Sequence, residues 1–216
     1  MEAIEGPAAA VIGVAAALVL GYAVGAIPFG VVIARLVGGA DPRTVGSQRT
    51  GATNTVRALG SGWGLAVGLL DVAKGLVAAG LGAAIGAAVG LVPEWVAAGG
   101  CVAAVGGHIR SVFIGFRGGR GVATAAGGFL VLVPLALVVV IPIIGAVVAV
   151  TRYVSLGSIV GAISAPLVVA VLYALDRASG ADIAYSAMVG ALVVLAHADN
   201  IARLRAGTER RIGDGR

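Results

Sequence analysis

The chain has 216 residues, of which 59% are hydrophobic and only 12% are charged, and its net charge is +5. Its mean hydropathy of +1.06 is in the range of integral membrane proteins and excludes an ordinary soluble domain. The long apolar runs, such as Val131 to Val150, are hydrophobic on every side, whereas strands of a membrane β-barrel alternate in polarity. The composition therefore predicts an all-α integral membrane protein, a polytopic helical bundle.

The positive charge does not indicate a nucleic-acid surface. The arginines are divided among the segments between apolar runs, and few aromatic residues accompany them. Cys101 is the single cysteine and lies in an apolar run, which predicts a core position without a disulfide. His108 and His197 are the only histidines and stand far apart, so no metal site and no cofactor is predicted.

The first predicted span runs from about residue 8 to residue 27, and Pro28 is expected to bend its end. The segment that follows, up to Gly60, carries four arginines against one acid. By the positive-inside rule, this segment is cytoplasmic and the N-terminus lies outside. The second and third spans are predicted within residues 62–92 and 95–113.

The last span is predicted at residues 183–198, and the five arginines that follow it place the C-terminus in the cytoplasm. An odd number of crossings must then occur in the 54 residues from Val122 to Leu175. Three crossings of about 18 residues give about 27 Å of helix each, close to the ~30 Å hydrocarbon core. The sequence thus predicts about seven spans in a single transmembrane domain over residues 1–216.

Residues 115–124 place two arginines among glycines, in the order Gly-Phe-Arg-Gly-Gly-Arg-Gly-Val-Ala-Thr. Glycine at 118, 119 and 121 allows positive φ, so that several backbone N–H groups can point at one anion. A helix predicted from Val122 would direct its N-terminal amides the same way. A phosphate site is one interpretation, and a flexible loop whose arginines lie among lipid headgroups is the other.

The first basic segment supplies hydroxyl, amide and guanidinium groups: Ser47, Arg49, Thr50, Thr53, Asn54 and Arg57. Guanidinium groups bind phosphate bidentately, and hydroxyl and amide groups hydrogen-bond to sugar-alcohol oxygens. The set suits a polyol phosphate, although the hydroxyls could instead cap a helix.

Two ionisable residues, Asp71 and Lys74, lie inside the second predicted span at i and i+3, where they can pair. Ionisable groups at this depth are costly and indicate function, although a structural ion pair is the competing interpretation. His197 and Asn200 have the same spacing at the end of the last span and are predicted to face one direction. His197 could act as a general base or only as a hydrogen-bonding group.

Together these segments resemble a known family, the bacterial membrane acyl-phosphate:glycerol-3-phosphate acyltransferases, or PlsY family, over nearly the whole chain. The resemblance is carried by five blocks in the family's order: Gly46-Ser47 with Gly51-Ala-Thr-Asn54 and Arg57, Asp71-x-x-Lys74-Gly75, Gly107-His108 with Phe116-x-Gly-Gly-Arg-Gly-Val-Ala-Thr124, Arg152-Tyr-x-Ser155-Leu, and His197-x-x-Asn200-Ile-x-Arg203-Leu with Gly207 and Glu209. The chain departs from the family where Gln48-Arg49 replaces the usual Gly-Asn and where Arg120 replaces the usual Lys, which leaves the fine substrate choice open.

The resemblance implies transfer of a fatty acyl group from acyl phosphate to the 1-hydroxyl of glycerol 3-phosphate. The products are lysophosphatidic acid and phosphate, in the first acylation step of phospholipid synthesis, at the cytoplasmic face of the inner (plasma) membrane. It also implies seven spans and a site formed by three cytoplasmic segments. The alternative is a small organic-phosphate transporter whose path Asp71 and Lys74 would line, but polar groups on one side only favour the enzyme.

The resemblance also implies roles for individual residues. The expected catalytic residues are Ser47, Arg57, His197 and Asn200. The expected substrate-binding residues are Arg49, Thr53, Asn54, Lys74, Gly118, Gly119, Arg120, Gly121 and Glu209. Glycerol 3-phosphate is assigned to the four catalytic residues with Lys74, and the acyl phosphate or its oxyanion to the Gly118–Gly121 amides with Arg120. Since phosphate leaves readily and a substrate phosphate oxygen can accept the proton, we expect His197 to orient the substrate with Asn200.

Overall fold

The computed structural model describes residues 6–213, and across that range it contains helices and no β-strand. In chain order the helices are α1 Pro7–Ala26, α2 Phe29–Leu36, α3 Ala52–Leu59, α4 Ser61–Ala88, α5 Pro93–Ile109, α6 Val122–Leu132, α7 Pro134–Thr151, α8 Val154–Ala174, α9 Gly180–Ala196 and α10 Ala198–Arg205. The predicted all-α class is confirmed. The extreme N-terminus and Arg216, on which part of the topology argument depends, lie outside the described residues.

Within residues 6–213, five segments are long and apolar enough to cross a membrane: Pro7–Leu36, Ser61–Ala88, Pro93–Ile114, Pro134–Thr151 and Val154–Ala174. A sixth results if α9 and α10, which meet at 57°, form one broken span. Between Val122 and Leu175, where three crossings are predicted, three helices occur, and α7 and α8 have spanning length. The remaining helix, α6, is apolar but has only 11 residues.

The chain divides into two compact units, one ending at Leu132 and the other beginning at Val133. In the first unit, glycines allow helix backbones to touch. A Cβ on Gly25 of α1 would lie 2.0 Å from the carbonyl oxygen of Ala104 in α5. A Cβ on Gly75 of α4 would lie 1.9 Å from the carbonyl oxygen of Thr124 in α6. Only glycine fits at such contacts, which are common between membrane helices.

The first span is broken at Ile27 and Pro28, between α1 and α2, as the proline predicts. The Lys74 ammonium donates to the carbonyls of Gly25 at 3.1 Å and Ile27 at 2.9 Å, and the Ser111 hydroxyl donates to the carbonyl of Ala26. A break in a membrane helix persists only where its freed carbonyls find such partners. The break is therefore stabilised by side chains from α4 and from the residues that follow α5.

In the second unit, α9 begins at Gly180 with a capping box. The Ser179 hydroxyl accepts from the Asp182 N–H at 3.3 Å, and the Asp182 carboxylate accepts from the Ser179 N–H at 2.7 Å. Between α7 and α8, Arg152 turns the chain with a φ of 63°. The polar tail after α10 returns to this turn, since the Ile212 N–H donates to the Arg152 carbonyl at 2.8 Å. The single domain expected over residues 1–216 stays a prediction.

Candidate active site

Asn54 organises the first polar segment, which we define as residues 41–57. Its side-chain amide is 2% exposed and donates to the carbonyls of Arg49 at 2.8 Å, Val45 at 3.2 Å and Pro42. Its Oδ1 accepts the Ser47 N–H at 3.1 Å. These bonds use both amide protons and the oxygen, so Asn54 shapes the loop in which Ser47 and Arg49 lie.

The other predicted residues of this segment lie around that core. Ser47 and Arg49 are half-buried, and Thr53 and Arg57 are exposed on α3. The nearby Arg43 is paired, with its Nη2 2.7 Å from Asp41 Oδ2. Hydrogen bonds from Arg43 hold the pKa of Asp41 below its usual value.

Asp71, Lys74 and His108 form a second polar group, here named the Lys74 cluster. Lys74 Nζ lies 2.8 Å from Asp71 Oδ1, which confirms the predicted i,i+3 pair, and donates to His108 Nδ1 at 3.0 Å. The side chains of Lys74 and Asp71 are each 3% exposed. His108 comes from the last turn of α5 and was not among the predicted site residues.

The glycine loop, Gly118–Gly121, packs on the end of α5. The N–H groups of Gly118 and Gly119 donate to the carbonyls of Ile109 at 3.1 Å and His108 at 3.0 Å. A Cβ on Gly118 would lie 1.9 Å from the His108 carbonyl oxygen, and one on Gly119 would lie 2.1 Å from His108 Nε2. Glycine is therefore required at these two positions by close approach.

The prediction that positive φ explains all three glycines is wrong for Gly118 and Gly119. Positive φ occurs at Gly121, with 83°, and before the loop at Gly115 and Phe116. The predicted helix start at Val122 is confirmed. Arg120 is half-buried. Because two of the loop's amides already have carbonyl acceptors, anion binding by Gly118, Gly119, Arg120 and Gly121 stays a prediction.

In the second unit, the Glu209 carboxylate accepts hydrogen bonds from three side chains. Glu209 Oε1 accepts from Ser155 Oγ at 2.8 Å and Asn200 Nδ2 at 2.6 Å, and its Oε2 accepts from Arg203 Nε at 2.7 Å. We name Ser155, Asn200, Arg203 and Glu209 the Glu209 cluster. Burial favours the neutral acid, but these donors outweigh it and hold the pKa of Glu209 below its usual range.

The Glu209 cluster fixes the orientation of Asn200. An ionised carboxylate only accepts hydrogen bonds, so the Asn200 atom that faces Glu209 must be the amide nitrogen Nδ2. The other end of the amide is then Oδ1. Asn200 is 5% exposed, and its Oδ1 has no hydrogen-bond partner among the described residues. Asn200 thus presents a buried acceptor, which suits a hydroxyl donor better than a phosphate.

His197 lies in the bend between α9 and α10, as the last residue before α10 begins. The two helices meet at 57°, with His197 at the bend and Asn200 in the first turn of α10, and the prediction that both side chains face one direction stays a prediction. His197 is 1% exposed, and its Nδ1 lies 2.7 Å from the Val193 carbonyl. A carbonyl only accepts, so Nδ1 carries a proton and donates it to Val193.

Three residues with central contacts, His108, Ser155 and Arg203, were absent from the predicted site. All three stand in the sequence blocks that carry the family resemblance. Their partners are remote in sequence, for example 54 positions separate Ser155 from Glu209. The blocks were therefore a usable signal, whereas spacing along the chain was not.

The family model described as glycerol-3-phosphate acyltransferase matches residues 15–207. The chain belongs to the glycerol-3-phosphate acyltransferase family. Its curated relatives include the glycerol-3-phosphate acyltransferase of Geobacter sulfurreducens, 42% identical over 190 residues, which are 88% of this chain and 93% of the relative. The enzyme of Thermus thermophilus is 42% identical over 200 residues, which are 91% of this chain and 94% of the relative.

Solved structures of this acyltransferase family are also similar. One is the crystal structure of PlsY, an integral membrane glycerol 3-phosphate acyltransferase, in its glycerol 3-phosphate form. It has a TM-score of 0.81 and 36% identity, and the match covers 93% of this chain and 96% of that chain. The lysophosphatidic acid form has a TM-score of 0.79 and 35% identity, over 92% and 94%. The resemblance stated from the sequence blocks is confirmed.

Proposed function

We propose that the protein transfers a fatty acyl group from acyl phosphate to the 1-hydroxyl of glycerol 3-phosphate and releases lysophosphatidic acid and phosphate. The observation that carries this proposal is the match over 93% of the chain to a PlsY structure in its glycerol 3-phosphate form. In the reaction, the hydroxyl oxygen bonds to the acyl carbon while the bond from that carbon to the phosphate oxygen breaks. The hydroxyl proton passes to a phosphate oxygen or to His197.

In the first unit, residues 47–57 of the first polar segment are the proposed binding region for the phosphate of glycerol 3-phosphate. Arg57 and Arg49 supply guanidinium groups, and Ser47 and Thr53 supply hydroxyls, around a loop whose shape Asn54 holds through four hydrogen bonds. The proposed seat of the acyl phosphate is the glycine loop with Arg120. There the amides at the start of α6 would stabilise negative charge on the reacting carbonyl.

In the second unit, the proposed substrate contacts are Asn200 and His197. The oriented Oδ1 of Asn200 is an acceptor for a glycerol hydroxyl, and the Glu209 cluster keeps it oriented. Glu209 itself, predicted to bind substrate, would act through Asn200 because both of its oxygens are engaged.

We propose seven spans, with α6 as a short crossing, the N-terminus outside and the polar segments facing the cytoplasm. The test is labelling of single cysteines placed at Ser47, Arg117 and Thr208, in a protein whose native Cys101 is buried. All three are expected to react only with reagent on the cytoplasmic side. Reaction of any one from outside would reject this topology.

Phosphate release by the purified protein is the decisive assay. With acyl phosphate and glycerol 3-phosphate together, we expect phosphate and lysophosphatidic acid in equal amounts, without coenzyme A and in the presence of a chelator. Strict dependence on an acyl thioester, or loss of turnover with chelator, would contradict the proposal. Uptake of glycerol 3-phosphate into proteoliposomes without turnover would instead identify the transporter.

Arg57→Lys tests the site assignment, because lysine keeps the charge but loses the two-pronged contact to phosphate. The KM for glycerol 3-phosphate should rise, with a loss of about 1–3 kcal/mol of binding. The KM for acyl phosphate should stay the same. Arg43→Lys, at an arginine already paired with Asp41, is the matched control and should change neither constant.

A further inference from the structure

Lys74 has more hydrogen-bond acceptors than protons to donate. Its Nζ lies 2.8 Å from Asp71 Oδ1, 2.9 Å from the Ile27 carbonyl, 3.0 Å from His108 Nδ1 and 3.1 Å from the Gly25 carbonyl. An ammonium group has three protons, so all of them are engaged within the protein. A substrate phosphate could reach this ammonium only by displacing one of these partners.

The contacts of the Lys74 cluster lead to two different segments. Through the carbonyls of Gly25 and Ile27, Lys74 holds the break between α1 and α2, from which α2 leads to the first polar segment. Through His108 the cluster supports the glycine loop. The Gly119 N–H donates to the His108 carbonyl at 3.0 Å, and Gly119 lies so close to the ring that a Cβ would be 2.1 Å from Nε2.

We propose that Asp71, Lys74 and His108 are a positioning unit that fixes the glycine loop relative to the helix break, without touching substrate. Asp71 holds the Lys74 ammonium, the ammonium holds the His108 ring through Nδ1, and the ring forms the surface on which Gly119 rests. This inference rests on the proposed function, because it makes the placement of the glycine loop matter for acyl phosphate binding.

The first test separates a positioning role of Lys74 from a substrate contact. Lys74→Met leaves the buried Asp71 carboxylate without its counter-charge, which is more damaging than removing both charges. We therefore expect kcat/KM to fall in Lys74→Met and to recover by about tenfold when Asp71→Asn is added, within the range of couplings between contacting residues. If Lys74 binds substrate phosphate, that contact is still missing in the double variant, and a double variant no better than Lys74→Met would overturn the proposal.

The second test exchanges volume between the ring and the loop. Gly119→Ala alone should push the loop away from the ring and raise the KM for acyl phosphate at least about tenfold, with less than about a threefold change for glycerol 3-phosphate. Adding His108→Ala vacates the space for the new methyl group and should bring the KM for acyl phosphate back towards wild type. After this change Lys74 still has three acceptors, one for each proton. Additive losses in the double variant, or equal effects on both substrates, would overturn the proposal.

Val67→Ala is the matched control, because Val67 is fully buried in the same helix, four residues before Asp71. It should lower the thermal stability and leave both KM values unchanged. If Lys74→Met does not give folded protein for kinetics, the yield of folded protein is measured in place of kcat/KM. The double variant must then give a higher yield than Lys74→Met. Absence of phosphate release by the wild-type protein would reject the proposed function, whereas normal wild-type turnover without recovery in the double variants would reject the positioning unit alone.

Discussion

The Lys74 cluster and the Glu209 cluster have central groups of opposite charge. In the first, one cation is surrounded by acceptors, and the side chains of Lys74 and Asp71 are 3% exposed inside a membrane-length helix. In the second, one anion, Glu209, is surrounded by donors after the last helix, and its side chain is 8% exposed while that of Arg203 is 35% exposed. The Lys74 cluster has carbonyl partners from a broken helix, whereas in the part of the chain that the structure describes the partners of Glu209 are side chains.

The difference lies in how completely each cluster satisfies its own polar atoms. Where water is excluded, a charge must be saturated by the protein, and Lys74 therefore becomes part of the scaffold. In the Glu209 cluster the protein leaves one buried atom unsatisfied, because Asn200 is 5% exposed and its Oδ1 has no hydrogen-bond partner among the described residues. The residue with the unsatisfied atom is the better candidate for contact with substrate.

The largest expected effect is on stability, for Lys74→Met. We expect the free energy of unfolding in detergent micelles to fall by about 3–5 kcal/mol, the usual loss when one partner of a buried ion pair is removed. Asp71→Asn should cost less, because the ammonium keeps three acceptors. Among the described residues, the carboxylate left by Lys74→Met keeps only the His108 ring, 3.5 Å away. Equal losses in the two variants would show that the carbonyl contacts contribute nothing.

A smaller effect is expected for Glu209→Gln. The change weakens charge-assisted hydrogen bonds from Arg203 and Asn200, and we expect a loss of about 1.5–3 kcal/mol in unfolding free energy. Glu94→Gln, the same change at an exposed position, is the control and should cost little. A loss in Glu209→Gln as large as that in Lys74→Met would remove the contrast between the two clusters.

The pH dependence of the same variant sharpens this comparison. Because donors hold the pKa of Glu209 below its usual range, its contribution to stability is complete above the unfolded-state pKa of about 4.3 and is lost as pH falls through the folded-state value. The difference in stability between wild type and Glu209→Gln should therefore shrink below about pH 4.3. Thermal unfolding at several pH values measures it, and a constant difference would contradict the assignment.

His197→Asn should have a moderate effect on turnover. Asparagine can keep the hydrogen bond to the Val193 carbonyl, and a substrate phosphate can accept the proton, so we expect kcat to fall by less than about 10²-fold. The acidic limb of the pH–rate profile should persist. A fall of about 10²–10⁴-fold with a flattened profile and unchanged KM would instead identify His197 as the general base.

The smallest effect is expected for Asp41→Asn. The Asp41–Arg43 pair is about one-third exposed, with side-chain exposures of 29% and 33%. Such pairs contribute about 0–1 kcal/mol, so thermal unfolding should be nearly unchanged. A loss comparable to that of Glu209→Gln would mean that this pair holds the first polar segment in place.

The sequence by itself determined what depends on composition and local spacing. The apolar runs predicted an all-α membrane protein, the i,i+3 spacing predicted the Asp71–Lys74 pair, and the apolar run after Gly121 predicted the start of α6. The family blocks predicted the acyltransferase relationship. These features do not depend on how the helices pack, because each is set by residues that are close together in the sequence.

Only the tertiary structure decided which distant residues meet. His108 joins Asp71 and Lys74 from another helix, and Glu209 meets Ser155 across 54 positions. The need for glycine at 118 and 119 arises from the His108 carbonyl and ring, which no local rule about backbone angles contains. Such contacts depend on how closely the helices pack. The distance between helices is set by many residues at once, so the spacing of a few residues in the sequence does not predict it.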